Sequence, residues 1–268
     1  MPAAYGEHMT HATVNGVPAS ADDLVPLAFA GYGHYTSMQM RAGRVRGFGF
    51  HLDRLRVASL ELFGVAVPDE RVRECVRATV TGDASVVVHM FVGDWAAFEA
   101  GRPVEPSVLV RTRAPAEPSE TPVRVRTARF GRYLPHIKNA ATMGLVHHHR
   151  HAVIDGYDDA LFVDDDGVIS EGSAWNVLFL DADGTTVFPV APMLLGTMLQ
   201  MIRTRFTGPV TDRAVGVINL PDLRGAALTN SINPARPISA VDGREFPVDD
   251  EWLGRLRAAY ADNVPEAV

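Results

Sequence analysis

Three prolines in nine residues do most to limit what this chain can fold into; they fall in the run Ala114-Pro115-Ala116-Glu117-Pro118-Ser119-Glu120-Thr121-Pro122. Proline fixes its own φ and has no amide hydrogen, and the run offers no bulky apolar side chain to bury. Neither a helix nor a central strand passes through such a stretch. It reads as a linker, 114–122, between a first domain over 1–113 and a second over 123–268.

Patterning differs on the two sides. Upstream, Leu52, Leu55, Leu60, Leu62 and Phe63 recur at roughly helical spacing over 51–63, and Gly64 supplies a typical helix stop. A second helix is expected over 69–81, followed by β-branched runs at 85–92 and 107–111 that read as strands. Downstream, strands dominate: 123–127, 160–163, 168–169, 175–180, 185–188, 226–229 and 238–241, with helices at about 141–155, 196–206 and 249–261. The class is α+β, a small α/β domain followed by a larger, strand-rich one. With 268 residues and 47% hydrophobic content, both can bury a core.

A net charge of −7 and arginines scattered among acids argue against a nucleic-acid surface, so small molecules are the expected partners. The first twenty residues lack a charged segment leading into an apolar stretch, and nowhere do 18 apolar residues run together. No membrane association is expected. The single cysteine, Cys75, rules out an intrachain disulfide, suits a reducing cytoplasm and is assigned to packing.

Two features invite a metal. Asp164-Asp165-Asp166-Gly167 looks like a calcium loop but lacks the later acidic ligands, and a hairpin turn fits better. His147 and His151, with His148 and His149 between them, share one face of an expected helix, yet no further ligand set accompanies them. No metal site is assigned.

The chemistry gathers around Lys138, the only lysine among 25 basic residues. Arginine already fills every ordinary cationic place. What it cannot do is amine chemistry, whereas lysine changes its protonation state readily and forms Schiff bases. Downstream come Gly156-Tyr157-Asp158-Asp159-Ala160-Leu161 and then Glu171-Gly172-Ser173-Ala174-Trp175-Asn176, which leads into an apolar strand. Upstream lies His51-Leu52-Asp53-Arg54-Leu55. In this order and spacing, these elements resemble the signature of fold-type IV pyridoxal-phosphate enzymes, the class IV aminotransferases and their lyase relatives.

That resemblance implies a two-domain subunit with a pseudo-barrel second domain, pyridoxal 5′-phosphate as cofactor, and a homodimer with its active site between domains. Lys138 would hold the cofactor as a Schiff base and move the proton, and Glu171 would keep the ring nitrogen protonated. Arg54, the helix start Gly196-Thr197-Met198 and Ser231, with Asn230 beside it, would anchor the phosphate.

Other positions depart from the branched-chain pattern. Ser37-Met38-Gln39-Met40-Arg41 stands where that pattern has Phe-Glu-Gly-x-Arg, and Met143 replaces a tyrosine five residues after the lysine. The Arg-x-His carboxylate trap of D-amino acid aminotransferases is not visible after the 85–92 strand; the 93–103 loop instead resembles the mobile arginine loop of (R)-amine transaminases. The substrate-binding candidates are Tyr32, in the Gly31-Tyr32-Gly33 segment, His34 and Arg102. Tyr35, His89 and His136 are further candidates for the pocket lining, which spacing alone does not settle.

The resulting expectation is an aminotransferase that moves an amino group from a D-amino acid or (R)-amine to a keto acid. An aminodeoxychorismate lyase, eliminating pyruvate with the same lysine and cofactor, is the alternative, and a branched-chain L-amino acid enzyme fits less well. A non-catalytic relative is disfavoured by the retained Lys138, Glu171 and Arg54.

Overall fold

Side-chain alternation builds the first of two units. In the computed structural model, which describes residues 11–268, it contains β1 (His11–Val14), β2 (Val17–Pro18), β3 (Gly33–Arg41), β4 (Arg44–Arg46), β5 (Ala84–Phe91) and β6 (Ser107–Arg113). Together with the C-terminal strand Pro265–Ala267 they form one antiparallel sheet, ordered C-terminal strand, β4, β3, β5, β6, β1, β2. The helices are α1 (Ala21–Ala30), α2 (Phe48–Phe63), α3 (Asp69–Thr79) and α4 (Trp95–Glu99). The first ten residues, which fall in the expected first domain, lie outside the described residues.

Successive strand residues point to opposite faces. One face sends Met38, Met40, Val86, Val88, Met90, Val108 and Val110 into a core with Leu52 and Leu55 of α2 and Val72, Cys75 and Val76 of α3. Burying each such aliphatic side chain contributes about 1.5–3 kcal/mol. Cys75 is a packing residue, and burial pushes its thiol pKa up. The other face carries Tyr35, Ser37, Gln39, His89, Arg111 and Arg113.

β4 pairs with β3 only at Met40 and Arg41, so the outer edge at the start of β3 is available to another segment. Residues 137–141 take it: Tyr35 N donates to Lys138 O at 2.9 Å, Ala140 N donates to Gly33 O at 2.8 Å, and His34 and Asn139 form a β-bridge.

The second unit holds β7 (Val123–Arg129), β8 (Asp159–Val163), β9 (Ile169–Gly172), β10 (Asn176–Asp181), β11 (Thr186–Pro189), β12 (Val210–Arg213), β13 (Leu223–Thr229), β14 (Arg236–Val241) and β15 (Arg244–Glu245). Its sheet runs β12, β11, β10, β13, β14, β7, β8, β9, and β9 returns to β10 by pairing Glu171 with Asn176. That pairing closes β10, β13, β14, β7, β8 and β9 into a barrel, the expected pseudo-barrel of the fold-type IV subunit. Val125, Leu161, Ile169, Val177, Phe179 and Leu228 are among the side chains that fill its core. Helix α5 (Met143–Ile154) packs on β8 through Leu145 and Ala152, and α6 (Thr197–Arg205) packs with α7 (Asp250–Ala261).

The 164–167 segment is the turn joining β8 to β9, where the Asp164 carboxylate accepts from the amides of Asp166 and Val168 and Gly167 has φ 78°. His147 and His151 do share a helix face, with ring centroids 4.5 Å apart, while His149 turns inward to Asp159.

The chain divides at 116/117, inside the expected linker, but the second unit is not the continuous span 123–268. Residues 137–141, which contain Lys138, and 264–268 belong to the first unit, because both add strands to its sheet. Helix α2 begins three residues earlier than the leucine spacing suggested, and α1 and β3 arise where no pattern stood out.

Candidate active site

In the first unit the chemistry centres on Lys138. Its backbone is fixed at the edge of β3, and its Nζ lies 4.9 Å from the centre of the Tyr35 ring. An ammonium over an aromatic face is attracted by the ring quadrupole, so Tyr35 orients the side chain of Lys138, a half-buried residue. Tyr35 in turn stacks on His89, with centroids 5.0 Å apart.

The pleat separates the candidates drawn from this segment. His34, one residue before Tyr35, points to the helix-covered face, where its Nε2 lies 2.9 Å from Ser59 Oγ and its ring stacks on Phe63. Burial lowers its pKa to about 4. Tyr32 donates its hydroxyl to Leu62 O at 3.0 Å and packs against Phe63, Trp95 and Phe98. Tyr35 presents its ring to Lys138, while Tyr32 and His34 contact residues of α2 and, for Tyr32, of α4. Arg102 is exposed after α4, its amide donating to Ala97 O.

Arg54 lies on α2, three residues after His51. His51 Nδ1 is 2.7 Å from Thr36 Oγ1, and burial, helped by the Arg54 charge, lowers its pKa to about 3. The neutral imidazole thus anchors the start of α2 to β3 and adds no second charge beside Arg54.

In the second unit, Glu171 ends up buried because it stands at the barrel closure. Its Oε1 accepts from Arg132 Nε at 2.8 Å and from Leu194 N at 3.3 Å. Asn176, its pairing partner, donates from Nδ2 to Leu194 O at 2.7 Å and accepts on Oδ1 from Gly196 N at 3.0 Å. The start of α6 is thereby tied to the same turn as Glu171. A Cβ at Gly196 would overlap Asn176 Oδ1, so glycine is required for this approach. No side chain caps α6, which leaves the first-turn amides of Thr197 and Met198 for an external acceptor.

Beyond β13, Asn230 Oδ1 accepts from the amides of Ile232 and Asn233 and shapes the loop that carries Ser231. Thr229 Oγ1, just before it, is buried without a hydrogen-bond partner.

The class IV amino-transferase model matches residues 33–241. The chain belongs to the class IV aminotransferase family. Among solved structures it is similar to the fold IV transaminase CpuTA1 from Curtobacterium pusillum, with 26% identity, a TM-score of 0.77 and coverage of 93% of this chain and 92% of that one. A hypothetical aminotransferase from Mycobacterium tuberculosis in its PLP-bound form shares 21% identity, a TM-score of 0.75 and coverage of 94% and 99%. The branched-chain aminotransferase from Thermoproteus uzoniensis with norvaline shares 17% identity, a TM-score of 0.79 and coverage of 95% and 96%. A search of curated protein sequences finds no match.

Membership in the class IV aminotransferases makes the chain a pyridoxal-phosphate-dependent transaminase. The residues of the second unit fit that cofactor's phosphate, since the orphaned Thr229 hydroxyl and the uncapped start of α6 both offer donors; in the first unit Lys138 offers an amine. Among the residues that composition and spacing did not single out, Arg132 and Thr229 matter most. Arg132 lies six positions before the lysine, in a segment without periodicity, and only the barrel closure brings it to Glu171. Among the described residues no helix is long and apolar enough to cross a membrane.

Proposed function

We propose that this class IV aminotransferase moves an amino group from a D-amino acid or (R)-amine to a keto acid, as a cytoplasmic homodimer. The observation that carries the reading is the fixation of Lys138: main-chain hydrogen bonds set its backbone and the Tyr35 ring sets its ammonium. The sequence around it supports a donor outside the branched-chain L class, because Ser37-Met38-Gln39-Met40-Arg41 and Met143 replace the residues of the branched-chain pattern.

Pyridoxal phosphate, bound through Lys138, supplies an electron sink for the bonding pair of the donor's Cα–H bond. Once the donor's amino group has displaced Nζ from the cofactor, Lys138 would take the Cα proton on Nζ and return it one position along, acting as base and as acid. Glu171, held in its buried pair with Arg132, would present an acceptor to the ring N–H. Arg54, the first-turn amides of α6, Thr229 and Ser231 would bind the phosphate, and Asn176 and Asn230 hold the segments that carry the last three.

Protein purified with pyridoxal phosphate should absorb at the border of the near-ultraviolet and the visible, and bleach on adding a donor. A panel of D- and L-amino acids and (R)- and (S)-amines, each with pyruvate, should give new amino acid only from D- and (R)-donors. Turnover confined to L-donors would refute the stereochemical assignment, and pyruvate release from a single substrate would indicate the lyase.

A further inference from the structure

We propose that Glu266, on the C-terminal strand, is a positioning residue for Arg54: it holds the start of α2 and so sets where the guanidinium meets the cofactor phosphate. This role deepens the proposed function and rests on Arg54 being a phosphate ligand. It follows from one hydrogen bond between segments 217 residues apart, in which Gly49 N donates to Glu266 Oε1 at 3.2 Å.

Helix α2 needs an acceptor at that point. Its first amides have no partner within the helix, and its own sequence supplies neither a side-chain cap nor an acidic residue in the first turn. The residue before it, Gly47, has no side chain to offer. Gly49 is the second helical residue, whose amide a capping side chain ordinarily takes. The half-buried Glu266 fills that place from the far end of the chain.

Register brings the carboxylate there. Glu266 stands opposite Val45 of β4, and directly opposed residues share a face of the sheet. Val45 enters the helix-covered core, so Glu266 points to the side on which α2 begins. Arginines pin the strand along its length: Pro265 O accepts from Arg44 at 2.9 Å, Ala267 O from Arg73 at 2.8 Å and Val268 O from Arg77 at 3.2 Å. Arg73 also lies 4.6 Å from the centre of the ring of Phe48, the first residue of α2. The C-terminal strand, α3 and the first turn of α2 thus form one block.

Arg54 follows Gly49 by five residues, about 7.5 Å along the helix axis. Between them, His51 Nδ1 lies 2.7 Å from Thr36 Oγ1 and fixes a second point of the helix to β3. One anchor lets α2 pivot about His51; two set its direction. Without Glu266 the pivot is free, and the displacement reaches Arg54 on the far side of it. Charge-assisted contacts of a guanidinium with phosphate depend on that geometry.

The test compares pyridoxal phosphate with pyridoxal, which lacks the phosphate. Each is titrated into the whole chain freed of cofactor and followed by visible absorbance and equilibrium dialysis. Glu266→Ala should raise the Kd for pyridoxal phosphate at least fivefold and leave that for pyridoxal within twofold, whereas a merely structural role would weaken both. Glu266→Gln, whose amide oxygen still accepts from Gly49 N, should stay within twofold of the native protein for both ligands. In an Arg54→Gln background, Glu266→Ala should weaken pyridoxal phosphate no further. Equal losses for the two ligands, no loss for either, or an undiminished effect in the Arg54→Gln background would overturn the proposal. Failure of the phosphate assignment shows separately: Arg54→Gln alone would then keep the native preference for pyridoxal phosphate over pyridoxal, and the role of Glu266 would fall with it. If Glu266→Ala does not fold, Glu266→Asp, one methylene too short to reach Gly49 N, carries the same expectation.

Discussion

Arg132 and Glu171 form an ion pair from Nε to Oε1 at 2.8 Å, with each side chain about 4% exposed. At that burial, two desolvated charges hold each other in place, and removing one leaves the other uncompensated. Arg132→Met should therefore destabilise the protein by about 3–5 kcal/mol, read as a lower midpoint in urea. Pairing it with Glu171→Gln should recover part of that loss, because the stranded carboxylate is gone. A single-variant cost below about 1 kcal/mol would mean that the pair is solvated in solution.

A second buried node supports the same turn from below. Asp159 accepts from His149 Nδ1 at 2.9 Å, from Trp175 Nε1 at 2.9 Å and from its neighbour Ala160 N at 2.7 Å. Asp159→Ala strands all three donors, at about 1–3 kcal/mol for each left unsatisfied. The expected loss is at least about 3 kcal/mol in chemical denaturation, together with altered fluorescence from the Trp175 indole. Unchanged emission would show that Trp175 does not depend on Asp159.

Acid stability follows from three histidines of the first unit. Burial lowers the pKa of His34 to about 4 and those of His51 and His89 to about 3, from an ordinary 6.5. In the unfolded chain these rings protonate as pH falls through 6.5, while in the native protein they stay neutral. The unfolded state then binds more protons, so stability present above pH 6.5 declines down to pH 3–4. Each ring contributes up to about 1.4 kcal/mol per pH unit within that window. Denaturation at pH 7.5 and pH 5 should show the decline, and His51→Gln should flatten it.

The parts legible in the sequence share a physical character. Lys138 and Glu171 could be singled out because their side-chain chemistry is rare or ordered along the chain, and the 51–63 helix because leucines repeat at its period. What stayed hidden depends on which segments lie side by side. Tyr32, His34 and Tyr35 are equally plausible as letters, yet the pleat of β3 and its register with β5 set the Tyr35 ring beside Lys138 and turn His34 to the other face. Residues 137–141 carry no strand signal of their own; they extend because β4 is too short to cover the start of β3. Arg132 is indistinguishable from 23 other arginines until β9 meets β10.

Gly172 offers the sharpest test of the barrel closure. Its amide donates to Trp175 O at 2.8 Å, and a Cβ on it would overlap the Trp175 indole. The indole cannot simply retreat, because Asp159 holds its Nε1 and its body fills the barrel core. Gly172→Ala must therefore push the 171–176 turn itself, and Glu171 and Asn176, which pair across that turn, move with it. Overpacking of this kind costs about 1–3 kcal/mol. Here the displacement should also loosen the Glu171 pair with Arg132 and the Asn176 bond to Gly196, so cofactor retention and turnover should fall at least tenfold. Gly184→Ala is the control: Gly184 has φ 89° in a partly exposed turn with open space around it, so the strain should cost about 1 kcal/mol and leave turnover intact. Equal effects of the two substitutions on turnover would show that the position of Glu171 is not set by the Gly172–Trp175 contact.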